Sequence, residues 1–391
     1  TFSGTAKTIT GTINGLATTE GTITVSGTPT FASTIGNTQR VSQLTINGAT
    51  TFQAAVRTNV LTTTAAIANG TTLDVASTST IGADITTSGT QTYTGAVTVS
   101  GTGTRTLTGT TVTNSSTLNG GAIALTITGN ASIGGAITNV TNLSISGTST
   151  IGANVTTSGT QTYTGAVTLS TSPTLTTTSN TITFSSTVNS DSTTRSLTFG
   201  AGSGNAVFTG AVGNSAALGT ITDIAGQTLT FSDAVTATTI ANYGTLLFNA
   251  TSAKTISPAI TDNGTTTIQV IDSTDGAPGI ITFSGNIAAD TITIGTTTKA
   301  GSALFNGTVT GTNVNIVGGD TSEASLGNFA NTVTVTAITL DDNTATATAT
   351  FSGTAKTITG TINGLATTEG TITVSGTPTF ASTIGNTQRV S

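Results

Sequence analysis

Apolar and polar residues alternate along most of this chain. In GAIALTITG (121–129), Ile123, Leu125 and Ile127 alternate with Ala124, Thr126 and Thr128. In VTVTAITL (333–340), Val333 and Val335 alternate with Thr334 and Thr336, and Ile338 and Leu340 resume the run after Ala337. A period of two puts one set of side chains on a buried face and the Thr set outside, which predicts strands. The β-branched Val, Ile and Thr that fill these runs favour the same conformation. Gly residues and the pairs Asn14-Gly15, Asn47-Gly48, Asn263-Gly264 and Asn306-Gly307 interrupt the runs every few residues and mark turns. No 3.6-residue period is sustained anywhere, so the chain reads as all-β.

Longer periods lie over this alternation. TSTIGADITTSGTQTYTGAVT (78–98) returns as TSTIGANVTTSGTQTYTGAVT (148–168), differing only at Asp84/Asn154 and Ile85/Val155. A Phe-led turn recurs at Phe283, Phe305, Phe329 and Phe351, and Phe31 is followed by Phe52. These spacings predict coils of about 22 residues, with the long echo read as three coils of about 23. One such unit cannot bury its own apolar face, but a stack of them can. The expected fold is therefore a β-solenoid, with ladders of like side chains around a narrow dry column. A β-sandwich is the alternative; it requires hairpins, which the Asn-Gly turns would permit.

The longest repeat is exact. Residues 1–42 and 350–391 are identical, offset by 349. The chain thus reads as one full tandem unit, 1–349, of about 16 coils, followed by the first two coils (350–391) of the next unit. With adjacent strands about 4.7–4.9 Å apart, such a unit advances about 75–80 Å along its axis. The chain contains no Met, so it reads as a segment of something longer.

Composition narrows the function classes. Only 6% of the 391 residues are charged, the net charge is −6, and Cys, His and Trp are absent. A thinly charged, mildly acidic chain lacks the clustered Lys and Arg that nucleic acid demands. No run of 18 or more apolar residues is present to span a bilayer as a helix. Without His or Cys, the usual zinc sites and nucleophile–base pairs are excluded.

Two phrases, TTSGTQTYTGAVTVSGTGTRTLTG (86–109) and TTSGTQTYTGAVTLS (156–170), carry a family resemblance. Through Ser88-Gly89 with Thr92-Tyr93-Thr94-Gly95, and Ser158-Gly159 with Thr162-Tyr163-Thr164-Gly165, they resemble repeats of bacterial autotransporter passengers and filamentous-haemagglutinin-like exoproteins. The resemblance covers about a tenth of the chain. It implies a right-handed parallel β-helix, secretion to the cell surface, and a role in adhesion or surface structure, with surface glycans as a ligand class.

Candidate chemistry is sparse. Asp341-Asp342 and the pair Asp272 and Asp275 suggest halves of a calcium site, but Ca²⁺ takes six to eight oxygens, so polar turns are the favoured reading. GGD (318–320) lacks the repeated pattern of calcium-binding β-rolls. GAGSGN (200–205) resembles a phosphate loop, yet it leads into the strand-like AVFTG where a phosphate site needs a helix N-terminus. Tyr93 and Tyr163 suit sugar stacking or, more simply, a packing ladder. Asn69-Gly-Thr and Asn249-Ala-Thr are triplets expected in any Thr-rich chain. No residue is assigned a catalytic, cofactor or metal role.

The leading expectation is a structural, non-enzymatic extracellular filament or adhesin stalk, partnered by copies of itself end to end. A Thr-rich ice- or surface-binding solenoid ranks below it. Such a site needs Thr-x-Thr at one phase in every coil, and along the chain these units fall on many phases. A polysaccharide-binding or polysaccharide-cleaving β-helix ranks last, because its acids must converge and these are spread thinly.

Overall fold

The computed structural model describes residues 1–17, 20–272, 279–319 and 323–390. These form an all-β solenoid of about 17 turns of ~21 residues, with no helix. The ladders between the described strands run parallel, and the one antiparallel bridge among the described residues is the tight turn Thr296–Lys299; the hairpins of a sandwich are therefore not formed among the described residues, and the Asn-Gly pairs turn corners instead. The solenoid divides into two units, Thr1–Ser186 and Thr187–Ser391.

In the first unit the building block is a short side and its corner. Ser79–Ile81, Ile85–Thr87, Gln91–Tyr93 and Val97–Val99 are three-residue strands that each bury the first and third side chains and turn the second outward. Three-residue corners separate them, and three sides close a turn. One side stacks as Ser79–Val97–Leu118–Ile137–Val155. The next stacks as Ile85–Leu107–Ile127–Ile145–Tyr163–Phe184. The third stacks as Gln91–Val112–Ala131–Ser149–Val167.

These ladders overturn the reading of the long echo as three coils. Ser79 and its copy Ser149 stand in different ladders, as do Gln91 and its copy Gln161, which pairs with Leu143. The echo repeats a run of sides, and a run of sides need not close a whole number of turns. Turns here are also unequal, and the one from Leu143 to its ladder partner Gln161 falls several residues short of the length read from the Phe spacing.

In the second unit the turns are again unequal, and from Phe283 to Phe351 the Phe spacing marks one column as expected. Phe283, Phe305, Phe329 and Phe351 are in register and stack with centroids 5.1, 5.2 and 5.5 Å apart. Phe208, Phe231 and Phe248 form another column, in register with Val270 and Ile294. Where the two columns meet, Phe248 and Phe283 pack edge to face at 86°. Offset stacking and edge-to-face contacts are the two geometries that a ring quadrupole favours.

The identical segments fold alike. Thr5, Thr8 and Ile9 pair with Thr28, Thr30 and Phe31, and Thr354, Thr357 and Ile358 pair with Thr377, Thr379 and Phe380. Ala6 and its copy Ala355 both take positive φ, 51° and 53°. Phe2 meets Phe31 at 5.1 Å and 83°, and Phe351 meets Phe380 at 5.2 Å and 88°.

Candidate functional surfaces

The charged and polar residues singled out in the sequence are spent on turns and packing. Asp341 accepts from the Asn343 N–H and Asp342 from the Ala347 N–H, which makes them a polar turn. Asp272 is buried and accepts from the Gly279 N–H; Asp275 and Asp320 lie outside the described residues. Among the described residues no three acids gather into a metal-binding group. GAGSGN is a tight turn between the strands Leu197–Phe199 and Ala206–Phe208, closed by Ser203 N–H donating to the Gly200 carbonyl. Asn69 is buried, bonded to Thr71 and Thr72, and Asn249 ends the strand Thr245–Asn249. Asp74 is held by Arg40 and Arg57, Asp191 by Arg195, and Asp233 by Lys254.

Both repeat tyrosines point inward. Tyr93 and Tyr163 are 1% and 0% exposed, which removes them from any sugar. Each phenol donates to the Gln two residues earlier, Tyr93 to Gln91 Oε1 at 2.9 Å and Tyr163 to Gln161 Oε1 at 3.0 Å. The Gln amides in turn donate to the carbonyls of Ile85 and Thr108, and of Val155 and Thr176. The Gln-x-Tyr phrase is therefore a self-satisfied polar insert in a dry core, where an unbonded phenol would be costly. Burial pushes both phenols well above their ordinary range. Tyr163 also stacks on Phe184 at 5.2 Å.

One buried carboxylate stands apart from these. Asp223 is 1% exposed and accepts from the Tyr243 N–H, while its Oδ2 has no partner among the described residues. Burial raises it to about 6. It lies at the wall of a shallow groove of about 300 Å³ with Phe199, Thr222 and the exposed Tyr243. Among the described residues that line this groove Asp223 is the one acid, where glycoside hydrolysis uses a pair.

The most ordered surface is one that the sequence reading missed. Outward from the ladder Leu107–Ile127–Ile145–Tyr163–Phe184, two columns of hydroxyls flank each inward residue. Thr106, Thr126, Ser144, Thr162 and Thr183 stand in one register. Thr108 pairs with Thr128, and Ser146, Thr164 and Ser185 continue that column through N–H bonds to the Ile127, Ile145 and Tyr163 carbonyls. Over five successive coils, then, Ser/Thr-x-Ser/Thr holds one phase, a local order within a chain whose Thr-x-Thr units otherwise fall on many phases. Adjacent coils repeat at about 4.8 Å and alternate residues at about 6.7 Å. Unequal turns hide this phase from a fixed-period search. The phrases TLTG (106–109), TITG (126–129), SISG (144–147) and TYTG (162–165) are its signature.

The glycine closing each phrase has a steric cause. Gly89, Gly109, Gly129, Gly147 and Gly165 turn corresponding corners, and a Cβ on any of the last four would press on backbone of the preceding glycine or its neighbour in this column, or on a side chain beside it. Compared with known proteins, the chain matches no family model, no curated protein and no solved structure.

Proposed function

We propose that this chain is a structural segment of an extracellular filament or adhesin stalk built from tandem 349-residue units. The observation that carries this reading is the equal folding of residues 1–42 and 350–391, with the same internal register and the same aromatic pair. A coil that folds the same way at either position can be followed by another unit without a change of architecture. The resemblance of the Thr-Tyr-Thr-Gly phrases to surface exoproteins supports an extracellular, adhesive setting. A polypeptide of several tandem units should appear in electron micrographs as a uniform rod. Aligned, it should diffract near 4.8 Å along the fibre axis and advance about 75–80 Å per unit. Separate beads, or a missing axial reflection, would overturn the reading.

The hydroxyl array favours a second role on the same scaffold, an ordered surface for water or ice. Regular hydroxyls at fixed spacing hold water in a repeating pattern. Thermal hysteresis of the purified chain, lost on Thr126→Lys with Thr162→Lys, is the expected result. Its absence in the unaltered chain would leave the columns as a solvated face only.

A further inference from the structure

An Asn-Gly pair carries its own chemistry. With no Cβ in the way, the glycine nitrogen can attack the asparagine Cγ and close a succinimide ring. The sequence offers seven such pairs, and the fold separates them. Gly15, Gly120, Gly307 and Gly364 are buried, as is Asn69. The Gly15 and Gly70 N–H groups donate to the carbonyls of Gln39 and Phe52. Gly48, after Asn47, is half-buried and so close to the coil below that a Cβ would lie 2.0 Å from the Gly27 carbonyl oxygen. At Asn263-Gly264 both residues are exposed. There a Cβ on the glycine would meet nothing nearer than the Tyr243 carbonyl oxygen at 3.6 Å.

The groups that the ring closure needs surround this pair. The Gly264 N–H, which must lose its proton, donates to Asp262 Oδ1 at 3.3 Å. Thr266 Oγ1 donates to the same oxygen at 3.0 Å and holds the carboxylate in place. Asn263 Nδ2, the nitrogen that must leave, donates to Thr261 Oγ1 at 2.8 Å and to the Thr261 carbonyl at 3.3 Å. The Asn263 N–H donates to the Asn242 carbonyl at 2.9 Å, so the corner is anchored to the coil before it. Holding reacting groups together in this way lowers the entropic part of a barrier.

We propose that Asn263-Gly264 is a self-modification site, with Asp262 as its general base. The Gly264 nitrogen bonds to Asn263 Cγ, and its proton passes to the Asp262 carboxylate. The Cγ–Nδ2 bond then breaks, Asp262 returns the proton to the departing nitrogen, and ammonia leaves. Water opens the imide at either carbonyl, which gives aspartate or isoaspartate. No oxidant or reductant takes part. The product sets a new carboxylate beside Asp262. In its isoaspartyl form it also lengthens the backbone of the corner between the strands Ala259–Asp262 and Thr267–Ile271. This site is independent of the filament reading.

Hydroxylamine, which cleaves a succinimide from the glycine after it, tests the selectivity. The folded chain should be cut into residues 1–263 and 264–391, while the denatured chain should be cut at the other pairs too. Peptide mass spectrometry of the folded chain, incubated at neutral pH, should show the amide lost and isoaspartate formed at residue 263 ahead of the other six pairs. Asp262→Asn keeps an acceptor for the Gly264 N–H but removes the base, and should slow the reaction by at least about tenfold, general bases contributing typically about 10²–10⁴-fold. Gly264→Ala, which the open surroundings accommodate, should suppress it. Where Gly264→Ala alters the thermal melt, Asn263→Gln takes its place as the unreactive control. Equal cleavage of several pairs in the folded chain, or an unchanged rate in Asp262→Asn, overturns the proposal.

Discussion

At the scale of single residues, direction in or out of the column decides almost everything. Ile127 is 3% exposed, while its neighbour Thr126 is half-buried in the outer hydroxyl column. Ile127→Asp should therefore cost more than about 3 kcal/mol, from lost apolar burial and a carboxylate in a dry site. Thr126→Asp should stay within about 0.5 kcal/mol, as surface changes do. Denaturant midpoints of the two variants check this. Asp223 sets the second expectation. Its folded value is raised from 3.8 to about 6, so the folded protein binds its proton more tightly than the unfolded chain. Its contribution to stability is therefore full below about pH 4, falls as pH rises from about 4 to about 6, and is lost above that. The loss is at most about 3 kcal/mol, at about 1.36 kcal/mol per unit. Melting temperatures across that window should slope downward, and Asp223→Asn should flatten them.

At the scale of elements, the unit is the side and its corner. The three-residue strands bury two side chains each, too few for a strand to hold alone, so each is held by the strands above and below. Corners are where sequence is least free. Gly129 combines a positive φ of 119° with a position against the Gly109 carbonyl. Gly129→Ala should thus destabilise by at least about 2 kcal/mol through strain, whereas Thr128→Ala, on the exposed column beside it, should do little. Thermal melts of the pair decide it. The alternation made the strands legible in the sequence. The order of the ladders was not, because shorter and longer turns, as from Leu143 to Gln161 and from Ile85 to Leu107, share one stack. Only hydrogen-bond register tells which side a strand lies on.

At the scale of the molecule, the fold draws its stability from repetition. Each buried aliphatic contributes roughly 1.5–3 kcal/mol against an ordering cost of similar size, so a single turn has no margin and the stack must supply it. Stacking here is carried by apolar and aromatic ladders, with the acids used in turns and ion pairs. Chelation with EDTA is therefore expected to leave the melting temperature unchanged. A drop of several degrees would show that the carboxylates at Asp341 and Asp342 bind a cation after all.

The sequence by itself determined that this chain is all-β, that it stacks, and that its first 42 residues recur at an offset of 349. Alternation, corner glycines and exact identity are local or self-referential signals, readable without coordinates. It also carried the Phe column, because one aromatic per turn is conspicuous in a chain with only 13 Phe. Tertiary structure alone decided which repeats share a face. It placed the two Gln-x-Tyr copies in different ladders and aligned the Thr and Ser of five coils into one array. The physical reason is that a parallel solenoid pairs residues a full turn apart, and the length of each turn is set by how its corners pack against the turn before.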